Sequence, residues 1–387
     1  MRTAIMLGVL LGLTAAGGRT TRAADAPASP DVPGRWTEQQ ANDWHKRTGW
    51  LVGANYTPAT AINQLEMWQA DSFDPATIDR ELAMAESLGF NSMRVFLHHL
   101  VWEQDAEGLY KRMDQFLGIA EKHKVRVMFV LFDSCWDPEP KLGKQRPPKK
   151  GVHNSGWVQS PGKADLMDAK RHPVLEAYVK GVVGRFKDDA RVVVWDVWNE
   201  PDNQNDNSYG KNHLKTEPAG KLQATIPLLA KAFEWARAAK PSQPLTSGPW
   251  IGPKKPQDAL STTEQVQVHH SDVITFHTYN EPAGVEKWIA YYKKFNRPML
   301  CTEYMARPNG SRFDPTLQIF KDAGVGAYCW GFVAGKTNTI HAWKTWQEPE
   351  PKDEPTVWFH DIFRPDGSAF DAKEVEYIKR VTGKAGK

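Results

Sequence analysis

The stretch RVVVWDVWNEPDN, residues 191–203, decides the fold. Its apolar residues occupy successive rather than alternate positions, which is typical of a strand buried on both faces in a parallel sheet. The run then ends at Asn199, Glu200 and Pro201, and a proline cannot continue a strand ladder. Glu200 is therefore either an ordinary loop residue or an acid held at the edge of a pocket.

Seven further apolar runs alternate with amphipathic helical patterns. They span residues 50–56, 92–97, 126–132, 244–248, 273–279, 298–304 and 325–333. One helical pattern covers 74–89, with Asp74 and Pro75 at its start and Gly89 as its stop, and a closing helix is predicted at 372–380. This alternation predicts an α/β fold, a (β/α)8 TIM barrel with long loops on the C-terminal face of the strands. A doubly wound sheet would normally carry an early glycine-rich phosphate loop, which the sequence lacks.

The N-terminus is typical of a cleaved secretory signal. Arg2 precedes an apolar run at 4–13 that is too short to span a bilayer, and small residues surround a cleavage site after Ala23. The single early arginine also leaves a non-cleaved anchor possible. We predict a signal peptide at 1–23, a Pro/Ala-rich leader at 24–35 and one catalytic barrel domain at 36–387. The protein would be secreted or periplasmic, with no membrane span in the mature chain.

Charge and cysteine usage limit the classes of partner. The net charge is +3, and cleavage would remove three arginines and leave 46 basic and 46 acidic side chains. Nothing therefore indicates nucleic acid or an anionic membrane surface, and the oligomeric state stays open. The three cysteines, Cys135, Cys301 and Cys329, fit no metal spacing. The 16 tryptophans favour stacking on sugar faces, although a large barrel core also needs bulky residues.

Polar side chains gather at the C-terminal ends of the predicted strands. They are Arg94, Asp133, Asn199, Glu200, His277, Tyr279, Glu303 and Trp330. An unpaired buried charge costs on the order of several kcal/mol, so we expect these residues to satisfy one another around one pocket. Two glutamates at such a rim could flank a glycosidic bond, one as proton donor and one as nucleophile or base. Arg94 and Tyr279 could keep one glutamate ionised, but the spacing does not say which.

This set of residues resembles the retaining glycoside hydrolases of clan A, most closely the cellulase-like family 5 group. The resemblance runs from about Trp50 to Trp330. Its most specific element is Asn-Glu-Pro after a buried strand, followed three strands later by Thr-Glu. The resemblance implies that Glu200 is the general acid/base and that Glu303 is the nucleophile.

The same resemblance implies several supporting roles. A ligand of the sugar 2-hydroxyl falls on Asn199, and a platform under the sugar falls on Trp330. The two residues that support the nucleophile fall on Arg94 and Tyr279. The strand-6 histidine of the family falls on His277. The chain departs from the family at Asp133, where members commonly carry a histidine. Asp133 is expected either to bind the sugar or to form a structural salt bridge.

Two long loops leave the C-terminal ends of strands 3 and 8. Their tryptophans either line the rim of a cleft or anchor the loops to the barrel; they are Trp136, Trp157, Trp343 and Trp346. His98, at the end of strand 2, is a further candidate for the pocket. Asp196, within strand 4, is expected to form a structural pair inside the barrel.

The predicted function is a secreted retaining β-glycoside hydrolase that acts on β-linked carbohydrate of mannan, xylan or β-glucan type, without cofactor or metal. The loop after strand 8, with Lys336 and His341, could block one end of the cleft, which favours short oligosaccharides but leaves endo and exo action open. One alternative is a carbohydrate-binding barrel without turnover. Another is a metal-dependent barrel hydrolase, which usually needs a His-x-His on the first strand that residues 50–56 lack.

Overall fold

The computed structural model describes residues 32–206, 217–253 and 259–385. The predicted signal peptide and most of the predicted leader lie outside these residues. The strands are β1 Val52–Asn55, β2 Ser92–Phe96, β3 Arg126–Asp133, β4 Val192–Asn199, β5 Leu245–Thr246, β6 Ile274–His277, β7 Met299–Tyr304 and β8 Gly326–Cys329. The helices are α1 Glu38–Thr48, α2 Gln64–Trp68, α3 Pro75–Leu88, α4 His99–Gln104, α5 Ala106–Lys122, α6 Lys163–Met167, α7 His172–Phe186, α8 Lys221–Ala238, α9 Thr262–His270, α10 Pro282–Lys293, α11 Phe313–Asp322 and α12 Ala372–Thr382.

The eight strands form one parallel sheet in the order β5-β4-β3-β2-β1-β8-β7-β6. β1 pairs with both β2 and β8, so the sheet curves round on itself. Between β5 and β6, the Asp272 amide donates to the Leu245 carbonyl at 2.8 Å, and the Thr246 hydroxyl donates to the Val273 carbonyl at 2.8 Å. We call these contacts the β5–β6 seam. The predicted (β/α)8 barrel is confirmed, and every predicted strand run contains a strand.

Local signals in the sequence fix the helix ends. The Asp74 carboxylate accepts from the Thr77 amide at 3.0 Å and caps α3, whose first residue is Pro75. Gly89 ends this helix with a φ of 76°, a left-handed conformation that a residue with a Cβ adopts only with strain. The apolar face of α3 lies in the main hydrophobic core, where Ile78 and Leu82 are fully buried.

The barrel interior has an apolar lower layer and a polar upper layer. Met128, Val194, Leu300 and Tyr328 are buried together at the N-terminal end, where Trp44 of α1 packs against them. The polar layer begins above this apolar cluster, at the C-terminal ends of the strands. Among the described residues, no helix is long and apolar enough to cross a membrane.

Candidate active site

Arg94 of β2 lies at the centre of the polar layer and is fully buried. Its guanidinium contacts Asp196 at 2.8 and 3.0 Å, so the predicted structural role of Asp196 agrees with its position. The same group donates to Glu303 at 2.9 Å and to Asn199 and Asn55 at 2.7 Å each. One side chain on β2 thereby links β1, β4 and β7, and it contacts Glu303 rather than Glu200.

Both oxygens of Glu303 are held by donors. Arg94 donates to Oε1, and the Tyr279 hydroxyl donates to Oε2 at 2.7 Å. Burial and the neighbouring Glu200 carboxyl group raise the pKa of Glu303, while Arg94 and Tyr279 oppose this rise by favouring the charged form. The end of β7 therefore presents a carboxylate in a fixed orientation.

Glu200 has a different set of neighbours. Its Oε2 accepts from the Asn203 amide at 2.7 Å and from the Cys135 thiol at 3.2 Å, and its Oε1 lies 2.9 Å from His277 Nδ1. Burial raises the pKa of Glu200, and the Asn203 and Cys135 donors lower it only in part. Its φ of 44° lies in the left-handed region, which is sparsely populated by residues other than glycine.

The two glutamates face each other across a short gap beside His277. One ligand atom from each of Glu200, His277 and Glu303 lies within 4.8 Å of the other two. Burial lowers the pKa of His277 to about 4, so its ring is neutral near pH 7. These residue types could also ligate a metal ion, but Arg94 and Tyr279 already contact the two oxygens of Glu303.

Asn199 lies beside the glutamates, and Asp133 holds it in place. The Asn199 amide donates to Asp133 at 2.9 Å. Asp133 is 1% exposed and also accepts from the Trp157 indole at 2.5 Å and from Gln64 at 3.2 Å. Burial raises the pKa of Asp133 to about 6. Among the described residues it forms no ion pair and it does not line the cleft, so its position suits orientation of Asn199 rather than sugar contact.

The glutamates open into a cleft with a volume of about 150 Å³. Glu200, Glu303, Asn199 and Tyr279 contribute its polar lining. Four indole side chains form much of its wall, and they belong to Trp136, Trp250, Trp330 and Trp343. Flat apolar surfaces around convergent polar groups are well suited to a sugar ring.

The loop tryptophans divide between the two roles expected of them. Trp136 and Trp343 line the cleft, whereas Trp157 and Trp346 are 2% and 0% exposed and anchor the loops. His98 is not brought to the cleft. Its ring is fully buried, accepts from the Leu100 amide at 3.2 Å at the start of α4 and contacts the Gln159 carbonyl at 3.0 Å.

Five residues at the cleft were not among the candidates drawn from the sequence. They are Cys135, His153, Asn203, Asn205 and Trp250. Asn203 carried a usable signal, because it lies three residues after Glu200 in the stretch that ends β4. Cys135 also carried one, since it comes two residues after the end of β3. His153 and Trp250 lie in loops whose paths have no periodic pattern to reveal them.

One family model matches part of the chain. The model of glycosyl hydrolase family 10 matches residues 152–248, which is 97 of the 387 residues. A search of curated proteins found no match.

Several solved structures share the fold. An exo-β-1,4-mannosidase from Opitutaceae bacterium strain TAV5 has 19% identity and a TM-score of 0.56, over 88% of this chain and 60% of that chain. An endo-β-1,4-mannanase from Thermotoga petrophila has 13% identity and a TM-score of 0.54, over 87% and 77%. An endo-β-1,4-glucanase from Xanthomonas axonopodis pv. citri has 12% identity and a TM-score of 0.55, over 87% and 99%.

These structures are too distant in sequence to show more than the fold, and this chain spans less than two thirds of the mannosidase. The family model matches only a quarter of the chain, from the long loop after β3 to the end of β5, and the chain resembles a glycosyl hydrolase there. The comparisons thus confirm the TIM barrel, and they agree with the type of enzyme that the strand-end motifs predicted.

Proposed function

We propose that the protein is a retaining β-glycosidase in which Glu303 is the nucleophile and Glu200 is the general acid/base. The observation that carries this proposal is the close approach of the two carboxyl groups, whose nearest ligand oxygens lie within 4.8 Å. Retaining enzymes hold their carboxyl groups about 5–5.5 Å apart, whereas inverting enzymes need about 6.5–9.5 Å to admit a water molecule. The short separation favours double displacement.

The two environments suit the two roles. Glu303 would attack the anomeric carbon while Glu200 protonates the departing glycosidic oxygen, which leaves a covalent glycosyl-enzyme. Arg94 and Tyr279 favour the charged form of Glu303. Burial favours the protonated form of Glu200. Esterification of Glu303 removes a negative charge beside Glu200, so the pKa of Glu200 falls and it can then accept a proton from water.

We propose short β-linked oligosaccharides, with mannan-type chains as the first candidates, as the substrates. The cleft volume of about 150 Å³ is comparable to cavities that enclose a single six-membered ring. Trp343, from the loop after β8, forms part of its wall. Two of the structural neighbours reported above are a β-1,4-mannosidase and a β-1,4-mannanase, which makes mannose the first sugar to test.

A substrate panel tests this assignment. Aryl β-mannoside, β-glucoside and β-xyloside should be compared with the matching oligosaccharides and polysaccharides, with product length and anomeric configuration followed by NMR. We expect retention of configuration and faster turnover of oligosaccharides than of polymers. Binding without turnover would instead support the non-catalytic alternative, and activity that survives exhaustive chelation would exclude the metal-dependent one.

Glu303→Ala tests the nucleophile. Because the variant cannot form the glycosyl-enzyme, its turnover should fall by on the order of 10³-fold or more. Added azide should fill the space and give a glycosyl azide of inverted configuration. Full activity without azide would refute the assignment.

We also propose that the protein is exported and that its signal peptide is removed. The support is the apolar run at 4–13 followed by small residues up to Ala23. N-terminal sequencing of the protein recovered from the periplasm or medium should read from Ala24. A mature protein that retains residues 1–23 would support the non-cleaved anchor instead.

A further inference from the structure

A buried ion pair lies behind the loop that follows Glu200. Lys221, the first residue of α8, is 1% exposed, and its ammonium lies 2.6 Å from the Glu217 carboxylate. Burial lowers the pKa of Lys221, and the charge of Glu217 opposes this effect. Such a pair gains little stability over apolar residues of similar size, because both charges lose their water.

The ion pair contacts the loops that follow β3 and β4. The Lys221 ammonium donates to the Ser134 carbonyl at 3.1 Å and to the Asn203 carbonyl at 2.7 Å. The Glu217 carboxylate accepts from the Gln159 and Asn205 amides at 2.6 Å each. Since these four partners come from two different loops, the pair fastens one active-site loop to the other.

Asn203 connects this ion pair to Glu200. Its backbone carbonyl is held by Lys221, and its backbone amide donates to the Glu200 carbonyl at 2.9 Å. Its side-chain amide then donates to Glu200 Oε2 at 2.7 Å. With the Asn203 backbone fixed at both ends, the side-chain donor has a fixed direction toward the Glu200 carboxyl group.

We propose that Lys221 is a positioning residue that orients the Glu200 carboxyl group through Asn203, with Glu217 holding the lysine in place. This inference rests on the proposed acid/base role of Glu200. A purely structural ion pair would stabilise the barrel without affecting proton transfer. A positioning pair affects the step that depends on protonation of the leaving group.

Lys221→Met removes the charge and keeps the length of the side chain. We expect kcat/KM to fall about tenfold on substrates with poor leaving groups and by less than about threefold on activated aryl glycosides, which need little protonation. The Asn203 hydrogen bond lowers the pKa of Glu200, so its loss raises that pKa. The alkaline limb of the kcat/KM profile should therefore move to higher pH, as it should in Asn203→Ala.

Two further variants keep the inference testable if Lys221→Met is unstable. The double variant Lys221→Met with Glu217→Gln leaves no unpaired buried charge and should show the same leaving-group dependence. Lys180→Met is the control, because it breaks an exposed pair of the same i,i+4 spacing with Glu176. It should leave the pH profile and the leaving-group dependence unchanged.

The outcomes separate this inference from the proposed function. A folded double variant with the wild-type pH profile and leaving-group dependence would overturn the positioning role, as would equal losses on both classes of substrate. Glu200→Ala serves as the reference. If kcat/KM of this variant falls equally on substrates with poor leaving groups and on activated aryl glycosides, the acid role itself fails and the inference fails with it.

Discussion

Glu200 and Glu303 are both buried carboxyl groups, and their neighbours distinguish them. Glu303 receives a cation and a phenol, which favour its charged form. Glu200 receives an amide and a thiol, which oppose the effect of burial only in part, and it lies beside a neutral imidazole. Burial raises the pKa of both groups, so the contrast lies in the donors, and it supports the proposed division of roles without reference to any relative.

Tyr279→Phe tests the support of Glu303. The lost hydrogen bond favoured the charged form, so the pKa of Glu303 should rise. Because the proposed nucleophile must be ionised, the acidic limb of the kcat/KM profile should move to higher pH. We expect kcat/KM to fall about 10- to 100-fold, as for loss of a hydrogen bond to a charged group.

Tyr292→Phe is the matched control for this change. The Tyr292 hydroxyl is buried on α10 and has no hydrogen-bond partner among residues 32–206, 217–253 and 259–385. Its removal should leave the pH profile as it is. An unchanged acidic limb in Tyr279→Phe would show that Glu303 does not depend on the phenol.

At the scale of elements, Arg94 joins strands that do not neighbour one another. It connects β2 to β4 through Asp196 and to β7 through Glu303, across the barrel interior. The apolar runs predicted these strands because continuous burial leaves a clear pattern. Spacing along the chain could not show which glutamate Arg94 would reach, because that depends on how the barrel brings distant strands together.

Arg94→Met should destabilise the barrel as well as the site. It leaves Asp196 buried without its cation, and breaking a buried pair from one side costs about 3–5 kcal/mol. Urea unfolding followed by tryptophan fluorescence measures the loss. Arg112→Met, which breaks a partly exposed pair with Asp105, should cost at most about 1 kcal/mol. Similar losses in the two variants would argue against a structural role for the buried arginine.

The loops were harder to predict than the strands. Trp136 and Trp157 belong to the same loop, yet one lines the cleft and the other is buried. Backbone pairing of Asp133 with Ser160 folds this loop back onto β3 and directs the Trp157 indole to Asp133. No periodic pattern encodes such a return. His98 illustrates the same limit, because its strand was predicted but the turn into α4 was not.

At the scale of the whole molecule, the barrel closes at the β5–β6 seam. β5 has only two residues, and it pairs with β4 but forms no strand ladder with β6 in the described chain. The Thr246 hydroxyl contacts both the Val273 carbonyl and the Thr275 hydroxyl. The count of eight strand and helix units predicted closure, but not that a threonine side chain would share it with a backbone hydrogen bond at this seam.

Thr246→Val tests the seam, because valine keeps the shape of threonine and removes the hydroxyl. Leaving buried partners without this group should cost about 1–3 kcal/mol in the free energy of unfolding. Thr316 is an equally buried threonine whose hydroxyl has no partner within the described ranges. Thr316→Val should therefore be neutral or stabilising. Equal effects of the two substitutions would mean that the seam adds nothing to closure.

The backbone at Glu200 has a consequence for how such a protein can change over generations. A glutamate held at a φ of 44° is more strained than glycine, which has no Cβ, or asparagine, which tolerates the left-handed region, would be in its place. Selection for stability alone would thus favour replacement of Glu200, whereas the proposed acid/base role would retain it. In a lineage that no longer needs the proposed glycosidase activity, this position is among the first where drift would lead to a more stable and inactive barrel.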